Sequence, residues 1–328
     1  MRGLVATASA IAAVATSLLA APIAAAQTYP SRPITIIVPY AAGGPTDILA
    51  RLLGERIRAA LSQPVLVENV TGANGSIAVG RAVAAPPDGY TISVGNFGTH
   101  MANGAIYPLK YDLLRDLDPI ALLPSNPMLV VTRKNFPAAN LEAFVAWLKV
   151  NPGKATAGTA GAGSGAHIAA AFFANLIGTQ MQYVPYRGTA PAVQDLVAGQ
   201  IDLMIDQASN SLPQVRQGSI KALAVTATTR LAAAPEIPTA AEAGLPGFQV
   251  AVWNGMWVPH GTPRAIVDKL NGAVVNALGD PVVREKLAGV GLDGPPADQH
   301  TPEALAAFQK AEAEKWWPII KAAHISAE

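Results

Sequence analysis

Ile34-Thr35-Ile36-Ile37-Val38 runs directly into Pro39-Tyr40-Ala41-Ala42-Gly43-Gly44-Pro45-Thr46-Asp47, and this junction decides the fold. Every residue from Ile34 to Val38 is β-branched, the composition of a buried strand. Beyond the glycines, Ile48, Leu49, Leu52, Leu53, Ile57 and Leu61 recur at helical spacing. Arg51, Glu55, Arg56 and Arg58 fill the opposite face, so this stretch reads as an amphipathic helix. Strand, glycine turn and helix together make one unit of an α/β sheet.

Working outward, the same alternation continues. Val65 to Asn69 and Thr91 to Gly95 read as strands, with a helix over Ile77 to Ala84 and a turn at Pro86-Pro87-Asp88-Gly89. Further strands are predicted at Met128–Thr132, Ala155–Thr159, Met181–Tyr186, Ile201–Asp206, Ala222–Ala227 and Val250–Val258. Helices are predicted at Leu141–Val150, His167–Ile177 and Ala190–Ala198. Near the C-terminus Pro263 and Pro302 each open a helix, with Thr262 and Thr301 as caps. Trp253, Trp257 and the Trp316-Trp317 pair read as packing residues. No internal repeat appears.

Residues 1–26 have the character of a cleavable signal peptide. Arg2 precedes an Ala, Val, Ile and Leu-rich run, and Ala24-Ala25-Ala26 supplies small residues before Gln27. The apolar run is too broken by Thr7, Ser9, Thr16, Ser17 and Pro22 to suit a membrane anchor. The expected mature chain is soluble and long enough for two domains. It has no cysteine, which excludes disulfides, thiolate metal sites and cysteine nucleophiles. With 23 basic and 22 acidic residues and no basic run, nucleic acid and anionic membrane are not expected partners.

Three loops of small residues follow predicted strands and precede predicted helices: Pro39–Asp47, Asn96-Phe97-Gly98-Thr99-His100 and Gly158–His167. In open α/β sheets ligands bind outside the carboxyl ends of strands, where helix N-termini offer free N–H groups to an anion. Glycine lets the backbone approach closely. Gly161-x-Gly163-x-x-Ala166 formally fits a dinucleotide fingerprint, but Met181 to Tyr186 supply no carboxylate for a ribose. Ser164 lacks the flanking glycines of a nucleophile elbow, and no metal-binding histidine pair or phosphate-binding Lys motif occurs. No cofactor and no metal are therefore expected. His167 reads as a helix-start residue whose ring bonds nearby backbone, ligand contact being the alternative. Arg187 is either a surface residue or a carboxylate contact, and Asp206 caps a helix, holds a water or meets a ligand amine.

The chain resembles the substrate-binding proteins of the tripartite tricarboxylate transporter family, of the Bug (Bordetella uptake) type. The resemblance is carried by Tyr29–Ile34, Ile37–Asp47, Val67-Glu68-Asn69, Pro87–Thr91, Val184–Gly188, Ala222–Thr226, Pro238–Gly247 and Gly261-Thr262-Pro263. It implies a periplasmic-binding-protein type II fold, two α/β domains around a ligand cleft. One domain would comprise residues 28–127 and 254–328, the other 128–253. It implies a periplasmic monomer that is not an enzyme, capturing a small carboxylate for the membrane subunits of an importer. A sensor kinase as recipient and an exported carboxylate-processing enzyme are the alternatives. Carried over residue by residue, the resemblance points to Tyr40, Ala41, Ala42, Gly43 and Gly44, and across the cleft to Thr159, Ala160, Gly161 and Ser164. Thr99 and His100 match a Gly-Thr-His segment at the cleft edge, and Asp206 a recurrent aspartate. Two departures stand out: Ala162, Gly165 and Ala166 stand where Asn or Ser are usual, and Arg187 replaces Lys.

Overall fold

The computed structural model describes residues 29–289, 291–292, 294, 297–322 and 325–326. The expected signal peptide lies outside the described residues. From Arg32 onward a single mixed sheet organises the chain. β1 (Ile34–Val38) pairs in parallel with β2 (Val65–Asn69) and, on its other side, with β3 (Thr91–Asn96). β3 pairs antiparallel with β9 (Ala251–Pro259), which lies against the start of β4 (Leu117–Arg133).

β4 then changes partners. Pro127 is opposite Ala251 of β9, whereas Met128, the next residue, is opposite Gln207 of β7 (Leu203–Gln207). The end of β4 also pairs with β8 (Ile220–Val225), while β7 continues in parallel to β5 (Thr156–Thr159) and then β6 (Gln182–Pro185). The strand order is β2-β1-β3-β9-β4-β7-β5-β6, with β8 beside β4. β4 thus divides the sheet into two halves.

The sequence reading found only the last part of β4. Pro119, Pro124 and Pro127 disguise the rest, because proline cannot donate to a ladder. The register irregularities of β4 against β9 fall at those residues, between Pro119 and Ala121 and between Leu123 and Asn126.

Ten α-helices are named here: α1 (Pro45–Leu61), α2 (Ser76–Val83), α3 (Asn103–Ile106), α4 (Leu141–Val150), α5 (Gly165–Ile177), α6 (Thr189–Ala198), α7 (Ala208–Arg216), α8 (Arg264–Gly279), α9 (Pro281–Gly289) and α10 (Pro302–Ala322). α3 escaped the sequence reading, α7 entered it only as an unbounded helix after Asp206, and α9 falls in the tail read as helical without a start of its own. Thr301 caps α10 by accepting from the Ala304 amide. Thr262 does not cap α8; its hydroxyl donates to the Pro259 carbonyl, and the helix begins after Pro263.

The larger core cluster joins Phe97, Phe144, Phe173, Phe248, Trp257 and Trp316. A second, built on Leu129, Val131, Leu196, Met204 and Leu212, lies in the half that follows the partner change. Among the described residues no helix is long and apolar enough to cross a membrane.

Candidate functional site

A narrow cavity of about 20 Å³, room for about one water, lies where the two halves of the sheet meet. The first half contributes Tyr40, Gly44, Pro45, Thr46 and Asn96. The second contributes Ala160, Ser164, Gly165, Ala166, Thr189 and Gln207. No lysine, arginine or histidine is among these lining residues. What they share is position: Gly44, Ser164, Gly188 and Gln207 are the N-caps of α1, α5, α6 and α7, so four helix N-termini converge on one space. Each first helical turn has amides with no intrahelical acceptor and the positive end of the helix dipole. The chemistry on offer is solvation of an anion by neutral donors.

On the first side a charged network shapes the turn. Gly43, at φ +83°, donates its amide to Asp47 Oδ2 at 2.9 Å. Asn69 Nδ2 donates to Asp47 Oδ1 and to the Tyr40 carbonyl, both at 2.9 Å, and Arg51 Nε reaches the carboxylate at 3.0 Å. Burial alone would raise the Asp47 pKa; hydrogen bonds from Arg51, the Gly43 amide and Asn69 hold it below the ordinary carboxylate value instead. Behind the turn, Asn96 Oδ1 accepts from the Gly98 amide at 3.0 Å and from the Tyr40 hydroxyl at 3.2 Å. Burial pushes the Tyr40 phenol above its ordinary pKa, so it enters the site as a neutral group.

On the second side the braces are neutral. Ser164 Oγ accepts from the His167 amide at 3.2 Å, and the Ser164 amide donates to the Gly161 carbonyl at 3.1 Å. The Gly163 amide donates to His167 Nδ1 at 3.0 Å, so the ring does bond nearby backbone, as the sequence suggested. With the Ser164 and His167 amides taken, Gly165 and Ala166 are first-turn residues of α5 that line the cavity and whose amides have no intrahelical acceptor. Among the bonds that cross between the halves are Ala41 N to the Arg187 carbonyl at 3.2 Å and the Tyr107 hydroxyl to the Ala162 carbonyl at 2.9 Å.

Of the residues expected from sequence, the structure brings Tyr40, Gly44, Ala160 and Ser164 to the cavity. Ala41, Ala42 and Gly43 shape the turn beside it, and Gly161 plays the same part opposite, at φ +115°. Thr159 faces a separate open groove, and Arg187 is exposed, its carbonyl making the crossing contact.

Thr99 and His100 are wholly buried behind Asn96. The His100 ring stacks on Trp257 at 4.0 Å, with its nitrogens 2.9 Å from Ser93 Oγ and Thr99 Oγ1. Gly95 makes room for it, because a Cβ there would lie 1.9 Å from the ring. Burial lowers the His100 pKa to about 3. Its ring does not reach the cavity.

Asp206 is also fully buried, beside the lining residue Gln207. Asn210 Nδ2 and Ser211 Oγ both donate to its Oδ2, while Oδ1 is buried without a partner among the described residues. Burial raises its pKa to about 6 against the opposing pull of those bonds.

Pro45, Thr46, Asn96, Gly165 and Ala166 belong to the three loops read as ligand-binding from sequence, a reading that did not single them out; Thr189 and Gln207 lie outside those loops. Gln207 ends β7, so the rule that ligands sit at the carboxyl ends of strands could have found it. Gly165 and Ala166 carry no side-chain signal at all. Among the described residues no group of three or more His, Asp or Glu is placed to hold a metal ion.

Comparison with known proteins adds a second line of observation. The family model described as the tripartite tricarboxylate transporter family receptor matches residues 49–325. MatC from Rhodopseudomonas palustris, solved with bound malate, is 41% identical, with a TM-score of 0.86 over 89% of this chain and 100% of that one. R. palustris Rpa4515, solved with adipate, is 33% identical, with a TM-score of 0.86 over 90% of this chain and 99% of the other. The periplasmic binding protein BugD is 37% identical, with a TM-score of 0.87 over 90% of this chain and 99% of its own.

Proposed function

The chain belongs to the tripartite tricarboxylate transporter receptor family, the family of the Bug proteins, and from that premise we propose that it is a periplasmic solute-binding protein for a small carboxylate. It hands its ligand to the membrane subunits of a tripartite tricarboxylate-type importer. The observation that carries the reading is the meeting of four helix N-termini around a cavity lined without a cationic side chain. Relatives of closely similar fold hold malate and adipate, which are dicarboxylates.

The physical logic is one of replacement. A carboxylate leaving water loses strong hydrogen bonds, and fixed amides must restore them. Charge-assisted bonds of this kind contribute about 1.5–3 kcal/mol each, so a few well-aimed N–H groups suffice for useful affinity. Gly165, Ala166 and the start of α6 at Thr189 are the donors we assign on one side, with Gly44 and Thr46 on the other; the Tyr40 hydroxyl lines the cavity but gives its proton to Asn96. We assign Asp206 and Arg187 no direct contact with the carboxylate.

In this reading residues 1–26 are the export signal. Residues 28–127 and 254–328 form one lobe, 128–253 form the other, and the lobes close over the ligand about the partner change in β4. The protein acts as a monomer and does no chemistry on what it binds.

Calorimetric titration of the purified protein with malate, adipate, citrate and uncharged diol counterparts tests the proposal. A saturable signal from at least one acid, with none from its diol, is the expected result. Equal binding of acid and diol would remove the anion-solvating role.

A further inference from the structure

His167 has two roles at the start of α5, and only one of them is ordinary capping. Its backbone amide donates to Ser164 Oγ at 3.2 Å, the usual N-cap bond. Its ring Nδ1 reaches back past the cap and accepts the amide of Gly163 at 3.0 Å. Gly163 is held at φ +75°, and a Cβ there would lie 2.5 Å from Ile106 Cδ1, so the turn is tightly enclosed. The neighbouring carbonyl, Ala162, accepts from Tyr107. Directly after this cap, Gly165 and Ala166 line the cavity, with first-turn amides that have no intrahelical acceptor.

We infer that His167 is a positioning residue for the candidate site: its neutral imidazole, by accepting the Gly163 amide, sets the turn that aims the first amides of α5 at the ligand. An imidazolium cannot do this, since both of its ring nitrogens are donors and one would then face the Gly163 N–H. Protonation must release the turn. The ring is accessible to that proton, because it lines the open groove with Thr159, Asn175, Thr179 and Tyr183. Tyr183 of β6 packs against it with ring centroids 4.7 Å apart. Among the described residues, Tyr183 and, beyond Ala162, Tyr107 are the titratable groups around it, and both phenols are pushed up by burial and so stay neutral. No charged residue is among the described residues lining the groove. Burial lowers the His167 pKa, so the acceptor form prevails at neutral pH.

The sign of the effect is diagnostic. A histidine acting as a nearby cation would strengthen anion binding on acidification; a histidine acting as an acceptor weakens it. The ligand arm of the test rests on the carboxylate reading above, and a second arm does not. His167→Asn places an amide oxygen where Nδ1 stands and does not titrate, while His167→Phe keeps a ring without an acceptor.

With malate or adipate, whichever binds, we expect wild-type affinity to fall about tenfold more than that of His167→Asn between about pH 8 and about pH 5. His167→Phe should bind at least about tenfold more weakly at both pH values, with His167→Asn restoring affinity at pH 8. Phe binding like wild type, wild type tracking Asn, or wild type gaining on Asn in acid would each overturn the inference.

The second arm follows the Gly163 amide resonance by NMR in ligand-free protein. It should move with the His167 titration in wild type and stay fixed in His167→Asn. If no carboxylate binds to wild type, the functional reading fails, and this resonance alone decides the latch: movement supports it and constancy overturns it.

Discussion

The two turns that face each other across the cavity do the same job with different chemistry. The β1–α1 turn is braced by a carboxylate, with Asp47 gathering Gly43, Asn69 and Arg51. The β5–α5 turn is braced by neutral acceptors, Ser164 Oγ and His167 Nδ1, and by the Tyr107 hydroxyl from the other half. Asp47 stays ionised throughout the neutral range, so the first turn is indifferent to moderate acid. The second turn contains a group that titrates. One side of the site is a fixed wall, and the other is adjustable.

Removing the charged brace should produce the largest effect. Asp47→Ala leaves the Gly43 amide and Asn69 amide without their acceptor, while Arg51, half exposed, turns to water. Urea denaturation should register a loss on the order of 2–3 kcal/mol. A loss under about 0.5 kcal/mol would mean that the two turns are braced alike.

Next in size is a contrast in acid between the two buried ionisable groups behind these turns. His100 has a folded pKa of about 3, below the ordinary histidine value, so its contribution to stability is present above about pH 6.5 and is lost as pH falls towards the folded value. Asp206, raised to about 6, has the opposite sign: its stabilising contribution is full below the ordinary aspartate value and is lost as pH rises through about 6. Between about pH 7 and 4 the two nearly cancel in wild type. Asp206→Asn removes the compensation, and its stability should fall on the order of 2 kcal/mol more than wild type over that range. Parallel pH profiles for the two proteins would show that Asp206 titrates near the ordinary aspartate value.

A smaller effect is expected from the crossing bond. Tyr107→Phe deletes the hydroxyl that donates to Ala162 at 2.9 Å and should cost about 1 kcal/mol in stability, with a few-fold loss of ligand affinity. Unchanged affinity would mean that the second turn keeps its shape without support from the first half.

The smallest concerns Arg187. Its carbonyl, not its exposed side chain, meets Ala41. Arg187→Ala should stay within about 0.5 kcal/mol of wild type in stability and show no change in affinity. A marked loss of affinity would bring the guanidinium back into the site.

The alternation of β-branched runs with amphipathic stretches was enough to read the α/β class, because periodicity is a local property of the chain. β1, α4 and the strands of the second half appear close to where their composition placed them. The first part of β4 did not, since its prolines argue against pairing, and only the ladder with β9 shows that the strand tolerates them through irregular register. At the site, Tyr40, Gly44, Ala160 and Ser164 could be picked out from glycine-rich turns and the family pattern, but Gly165 and Ala166 only as members of a loop, and Thr189 not at all. Their part is played by backbone amides, and an amide is the same at every position.

What the sequence determined by itself, then, was which segments become strands and helices, that small-residue turns separate them, and which family the chain resembles. Tertiary structure alone decided which amides remain open and which are already bonded, that His100 belongs to the core, and that His167 bridges a helix cap and a loop. The reason is that hydrogen-bond availability depends on partners far apart in the chain, such as Ala41 with Arg187 or Tyr107 with Ala162, and no local pattern records such pairings.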